Sequence, residues 1–269
     1  MVNDVFFPCS FHATIRSAEK EIDRKNIKIR ETTNKFNKKQ RVLVMVVSAV
    51  TGKHTLPVNL TCDVERASKT LFKAFEKSYA NDYLMKKFFH VPITEKVSRA
   101  RINAMIHYYT TCYNDLNGEV AEANDFDAVA IWSRPGCHLP ATLSDDESFN
   151  KIFFDDLTAR KHEVMPEGMD YYYLYAIGKD PSHPEIRGSV RKILEEYKLK
   201  ADKANCALAL EAISEHAKSV YEYFGFRTYL VFQFGVGEVN CMGEPDPQGE
   251  GFTAYLMLYH RDANSIFHA

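Results

Sequence analysis

The chain has 269 residues, 45% of them hydrophobic and 26% charged, with a formal net charge of -2. That is an ordinary globular balance, with enough chain to bury a substantial core in one large domain or two small ones. So small a net charge gives no overall electrostatic reason to bind nucleic acid or an anionic membrane. The first residues lack a basic start followed by a long apolar run, and no later apolar stretch reaches membrane-spanning length, so a soluble, cytoplasmic protein with no membrane partner is expected.

Six cysteines (Cys9, Cys62, Cys112, Cys137, Cys206, Cys241) are scattered without close pairs, which speaks against a disulfide framework and a structural zinc site. No metal is expected. The sequon Asn59-Leu60-Thr61 then carries no glycosylation meaning.

From the N-terminus, Lys20 to Arg41 is rich in Lys, Arg and Asn and poor in large apolar residues, so residues 1–50 read as a partly ordered extension ahead of a single domain, 51–269. Without aromatic interleaving the extension is not a nucleic-acid platform. RVLVMVVSAV (Arg41 to Val50) and LPVNLTC (Leu56 to Cys62) read as strands across a Gly-containing turn. Asp63 can cap a helix carrying Val64, Ala67, Leu71, Phe72 and Phe75 at three- and four-residue steps. A second helix is expected over Val97 to Tyr113.

DAVAIWSRPG (Asp127 to Gly136) predicts a short buried strand with the single tryptophan, Trp132, and ATLSDDES after it a loop. MDYYYLYAIG (Met169 to Gly178) is a strand dense in aromatics, and Val190, Ile193, Leu194, Tyr197, Ala201 and Ala204 form a helical stripe. CALALEAI (Cys206 to Ile213) is a strand of the kind buried on both faces. Ala217, Val220, Tyr221 and Phe224 mark a short helix that Gly225 closes in the left-handed conformation. RTYLVFQFGVG and FTAYLMLYHR are the last strands, with the Gly- and Pro-rich loop CMGEPDPQGEG between them. The whole is an α/β or α+β sheet protein.

The turn HPEIRGSVRKIL, between a strand and a helix, places free N–H groups and the positive end of a helix dipole where an anion can sit. One glycine before a helix is a weak signal by itself. Strand YYYLYAIGKDP, turn EIRGSV, helix RKILEEYKLKADKA, strand CALALEAI and helix SEHAKSVYEYFGF, in that order, resemble the acetyl-CoA core of the GNAT superfamily of N-acetyltransferases. LEAISEHAKSVYEYFGF (Leu210 to Phe226) resembles the family segment that carries a tyrosine beside the cofactor sulfur. AVAIWSRPG resembles its apolar strand ending in Trp and a Pro loop, as in puromycin N-acetyltransferase-like members.

The resemblance implies a mixed, mostly antiparallel central sheet flanked by helices. It also implies direct transfer of an acetyl group from acetyl-CoA to a small-molecule amine. Ile177, Gly178 and Lys179 would hold the pantetheine and donate to the thioester oxygen. Arg187, Gly188, Ser189, Val190 and Arg191 would hold the pyrophosphate. Tyr221 would protonate the leaving thiolate, since a phenol of pKa about 10 lies above a thiol near 8.5. Glu211 is the first candidate base, with Asp170, Tyr173, His107 and His216 behind it. Trp132, Tyr108 and Tyr109 would line the acceptor pocket. Core packing for the aromatics and ion pairing for Glu211 are the competing uses.

The turn departs from the family pattern Gln/Arg-x-x-Gly-x-Gly/Ala. Glu185 stands at the first position and Val190 at the last, so negative charge and a bulky side chain enter the turn; Glu185 could pair with Arg187, Arg191 or Lys192. The alternative is therefore a GNAT-fold protein that binds CoA or a partner with reduced or no turnover.

Overall fold

The computed structural model describes residues 57–137 and 143–268. The extension 1–50 and the strand expected at Arg41 to Val50 lie outside the described residues. In chain order the elements are β1 (Asn59–Leu60), α1 (Val64–Ala74), α2 (Tyr79–Phe88), α3 (Arg99–Asp115), β2 (Glu119–Ala123) and β3 (Ala128–Ser133). A continuous helical run follows, α4 (Glu147–Asn150), a π-helical segment (Lys151–Asp156) and α5 (Leu157–Val164). Then come β4 (Tyr171–Lys179), α6 (Ser189–Ala204), β5 (Ala207–Ala212), α7 (Glu215–Tyr223), β6 (Arg227–Phe234), β7 (Phe252–Tyr259) and α8 (Ala263–Ile266).

The strands form one seven-stranded sheet in the order β1-β2-β3-β4-β5-β7-β6. Every pairing is antiparallel except β4 with β5, because those two are joined by a crossover through α6, which returns the chain in the same direction. The mixed, mostly antiparallel sheet flanked by helices is thus as expected.

Side chains alternate across the sheet and divide the core into layers. Val129 and Ile131 of β3 pack with Leu71, Met85, Phe88 and Ile106 from α1, α2 and α3. Ala128, Ala130 and Trp132 face the other way, onto Ile193, Leu194 and Tyr197 of α6. Here one expectation fails: Trp132 is fully buried and stacks on Tyr197 with centroids 4.1 Å apart, so it is a core residue beneath α6.

Local signals account for the helix starts. Asp63 accepts from the Arg66 N–H at 3.0 Å, and Ser78, Ser98 and Ser214 cap α2, α3 and α7 in the same way, each satisfying a donor the helix itself leaves free. The strand expected from Leu56 to Cys62 shrinks to β1. The loop expected over ATLSDDES gives way to helix at Glu147.

The feature that positions a site is a fork. β4 and β5 pair only from Tyr171 opposite Ala207 to Leu174 opposite Leu210. Beyond that, β4 continues to Lys179 on β3 alone, and β5 continues to Ala212 on β7 alone. At the fork β4 carries a bulge: Ile131 faces Ala176 while Trp132 faces Leu174, leaving Tyr175 as the extra residue. Such a bulge bends its strand and re-aims the local N–H groups.

Candidate active site

A cavity of about 170 Å³ occupies the fork. Leu210, Ala212, Ala217 and Tyr221 line it from the α6/α7 side, and Leu71, Phe75, Met85, Phe88 and Ile106 from the α1–α3 side. Both helical layers contribute to its lining, because the strands that would close the sheet there have parted.

Tyr221 is held there by the end of its own helix. The Phe226 N–H donates to the Tyr221 carbonyl at 3.1 Å and the Gly225 N–H to the Glu222 carbonyl at 2.9 Å, with Gly225 at φ +87°. That is a Schellman cap, and it locks the backbone on which the tyrosine is mounted. The Tyr221 ring lies 5.7 Å from Phe226, and its hydroxyl has no hydrogen-bond partner among the described residues. Burial pushes the phenol well above its usual value, so it keeps its proton throughout the range in which an enzyme works.

Glu211 also lines the cavity, with its side chain almost buried. It accepts a short hydrogen bond from the Tyr173 hydroxyl and lies 3.7 Å from Lys161 Nζ on α5. The ammonium in turn stands over the Tyr173 and Tyr171 rings at 5.2 and 5.6 Å. Burial first, and then the Glu211 charge, raise the Tyr173 hydroxyl well above the usual phenol, so Tyr173 stays a donor to the carboxylate. Lys161 was not foreseen from the sequence: it belongs to a helical run that local polarity concealed.

Between the end of β4 and α6, Gly188 caps α6 with φ +83°, and a methyl group built on it would meet nothing within 4 Å. The first N–H to donate back inside the helix is that of Lys192, to the Gly188 carbonyl at 2.9 Å; the preceding ones at the helix start have no intrahelical partner. Ser189 is fully buried, its hydroxyl bound to Asp127 and accepting from Asn124 Nδ2 at 2.7 Å. Lys179 ties the loop from beneath, donating to Asp127 Oδ1 at 3.1 Å and to the His183 carbonyl at 2.6 Å. Val190 turns its side chain into the core beneath α6, away from the space in front of the turn.

The charges around this turn are arranged differently from the expectation. Glu185 is exposed and lies 3.4 Å from His183 Nδ1 rather than pairing with a basic neighbour in the turn. Arg191 is bound to the Tyr223 hydroxyl and lies over that ring at 5.0 Å. Lys192 donates to Asn124 Oδ1 at 2.7 Å. Arg187 is exposed and makes no ion pair with a described residue.

Two other expected residues, Tyr108 and Tyr109, stand elsewhere, and Gly178 has a packing duty beside its place on the β4 edge. Gly178 serves packing: a Cβ there would lie 2.4 Å from Ala74 Cβ, so its bareness lets α1 approach β4. Tyr108 and Tyr109 on α3 do not line the cavity. Tyr108 packs on Phe89, its hydroxyl pushed up to about 12 by burial and then by Cys112, and Tyr109 backs Tyr175 at 5.2 Å. The walls are instead Phe75, Phe88, Phe153, Tyr175 and Phe234, most of them on elements whose facing sequence could not fix.

Among the described residues no helix is long and apolar enough to cross a membrane. Residues 59–138 match the family model described as the YOR012W acetyl transferase domain. The Saccharomyces cerevisiae protein described as putative increased recombination centers protein 11 is 87% identical over 146 residues, 52% of this chain and 93% of its own length. The uncharacterized protein YDR391C of the same yeast is 51% identical over 215 residues, 80% of this chain and 91% of its own. The uncharacterized N-acetyltransferase C550.08 of Schizosaccharomyces pombe is 25% identical over 181 residues, 61% of this chain and 70% of its own.

Proposed function

This chain belongs to the GNAT superfamily of N-acetyltransferases, and from that premise we propose that it transfers the acetyl group of acetyl-CoA directly to a small-molecule amine. The observation that carries the reading is the Tyr221 hydroxyl, without a partner among the described residues, in a cavity at the place where β4 and β5 part.

The residues present fit acetyl-CoA. Open space in front of Gly188 and the free N–H groups at the start of α6 suit a pyrophosphate, with Arg187 as the available cation. The edge of β4 beyond Leu174, unpaired on its β5 side, suits the pantetheine through Ile177, Gly178 and Lys179. Acetyl-CoA, when bound, would supply an activated acyl carbon on sulfur.

The chain's own groups would do the rest. The N–H groups re-aimed by the bulge at Tyr175 would donate to the thioester oxygen, and one such donor is worth roughly 3 kcal/mol when charge develops there. Tyr221 would give its proton to the sulfur as the carbon–sulfur bond breaks. Glu211, directly or through water, would take the proton the amine must lose as its nitrogen forms the new bond. Lys161 and Tyr173 fix that carboxylate. Protons and electrons balance: amine plus thioester gives amide plus thiol.

Release of free thiol from acetyl-CoA in the presence of an amine panel tests the reading, and no release with any amine would overturn it. A second reading, CoA or partner binding with reduced or no turnover, is favoured by the diversion of Arg191 and Lys192 to protein partners. Calorimetry separates the two: binding of CoA without thiol release supports the second.

A further inference from the structure

The turn between β2 and β3 is strained in a way its own residues do not explain. Asn124, Asp125 and Phe126 stand in succession at φ +56°, +57° and +65°. Asn and Asp tolerate the left-handed region, but an aromatic residue enters it rarely, and tight hairpins ordinarily place glycine there. Backbone of this kind persists where surrounding contacts impose it, and it gathers at sites that need a fixed geometry.

Here the contacts come from both sides. From α1, the Thr70 hydroxyl donates to the Phe126 carbonyl at 2.8 Å, and Arg66 donates to Asp125 Oδ1 at 2.7 Å while lying over the Phe126 ring at 4.1 Å. From β2, Glu122 accepts from the Phe126 N–H at 2.9 Å. On its other side the turn meets the start of α6. A lysine ammonium can only donate, so Lys192 fixes Asn124 Oδ1 as its acceptor at 2.7 Å and turns Nδ2 toward Ser189 Oγ, also at 2.7 Å. The Ser189 hydroxyl donates in turn to Asp127. Lys179 donates to the same carboxylate at 3.1 Å, and the Asp127 carbonyl accepts from the Asp180 N–H at 2.7 Å. The donors therefore run one way, from Lys192 through Asn124 and Ser189 to Asp127.

This arrangement decides what can hold an anion at the start of α6. Ser189 is fully buried and its one hydroxyl proton is directed to Asp127, so its side chain has none for a phosphate. Arg191 and Lys192 are held by protein partners. Apart from Arg187, what remains is the backbone N–H groups, and their direction depends on where Ser189, the first residue of the helix, is tied.

Resting on the acetyltransfer reading, we propose that Asn124 and Asp127 are positioning residues for acetyl-CoA: acting through Ser189, the left-handed β2–β3 turn holds the N–H groups that open α6 in the direction that binds the pyrophosphate.

The test uses the full chain. Asn124→Gly supplies a residue that adopts φ +56° freely and removes both side-chain bonds; Ser189→Ala breaks the series at its centre and serves if the first variant does not fold. Calorimetry with CoA, the thermal midpoint, and thiol release against acetyl-CoA concentration are read for each variant and for the pair. Each single variant should weaken CoA about tenfold, the net contribution of roughly one hydrogen bond. The acetyl-CoA KM should rise by a similar factor with kcat within about twofold. Because both changes act through one hydroxyl, the pair should bind CoA within about twofold of the weaker single variant, where independent effects would multiply to about a hundredfold. Asp125→Gly, whose lost side chain pairs with Arg66 of α1 instead, should leave CoA affinity within about twofold.

CoA affinity unchanged in both single variants overturns the proposal while leaving acetyl transfer standing, and so do multiplied effects in the pair. An equal loss in Asp125→Gly also overturns it, since the stability of the turn would then account for the effect. Weakened CoA binding in a chain that releases no thiol supports the positioning role and overturns acetyl transfer. A parent chain that binds no CoA overturns both.

Discussion

Replacing Tyr221 by Phe removes one oxygen from a side chain whose ring packs on Phe226 and whose hydroxyl has no partner among the described residues. With no hydrogen bond lost and the ring retained, folding stability should change by less than about 0.5 kcal/mol, the ordinary range for a substitution that breaks no named contact. Catalysis should change far more. A positioned acid contributes roughly 10²- to 10⁴-fold, which at about 1.36 kcal/mol per decade is about 2.7–5.4 kcal/mol of barrier. The measurement is saturating thiol release, with the thermal midpoint and the acetyl-CoA dissociation constant recorded alongside. The expected result is a kcat loss of about a hundredfold or more at unchanged midpoint and affinity. Since burial holds the phenol well above its ordinary value, the native enzyme should show no alkaline loss from this group around pH 9. A kcat within about threefold of the original, far short of an acid's usual contribution, would mean that Tyr221 only packs and would refute its assignment.

Other variants separate binding from packing. Gly188→Ala places a Cβ at φ +83° in open space, so it should cost about 1–2 kcal/mol of backbone strain and weaken acetyl-CoA in calorimetry more than it lowers kcat. Gly178→Ala drives a Cβ to 2.4 Å from Ala74 Cβ; overpacking of this kind costs about 1–3 kcal/mol, and Ala74→Gly in the same chain should restore much of the lost thermal midpoint. Burial alone would raise the Asp180 carboxyl, but hydrogen bonds from Lys73 and from Ser182 outweigh it and hold it at about 2. A carboxylate depressed in the folded state stabilises above its unfolded value of about 3.9 and loses that contribution as pH falls through the folded one. The parent should therefore lose stability between about pH 4 and 2, and Asp180→Asn correspondingly less over the same interval, read from denaturant midpoints.

Those residues also show what the sequence could and could not carry. YEYFGF announced its own geometry, because only a left-handed residue after the last helical turn lets Phe226 reach the Tyr221 carbonyl, and glycine supplies that conformation without strain. Asp63 before an apolar stripe was equally explicit. AVAIWS was not: every residue in it is buried, so its pattern has no polar side to say which layer Trp132 joins, and the tryptophan went to α6 instead of the pocket. EVAEA has one β-branched residue, Val120, among alanine and glutamate, too little of the content that marks a strand, so β2 does not show in the sequence. Lys161 and Phe153 were hidden because a chain rich in Asp, Lys and Glu gives no periodicity that identifies the face turned inward. The fork itself depends on how far β4 and β5 outlast their pairing, a long-range property that no local run of residues encodes.

The parting of those strands has a kinetic corollary. If acetyl-CoA and an amine acceptor meet in a cavity lined from both layers of the sheet, each would have its own approach, so neither would have to depart before the other arrives. Initial rates measured against both reactants should then converge when plotted reciprocally, where a route through an acetylated protein would give parallel lines. Each product would also leave by the side its parent entered, so free CoA should compete with acetyl-CoA and leave the amine's entrance unobstructed.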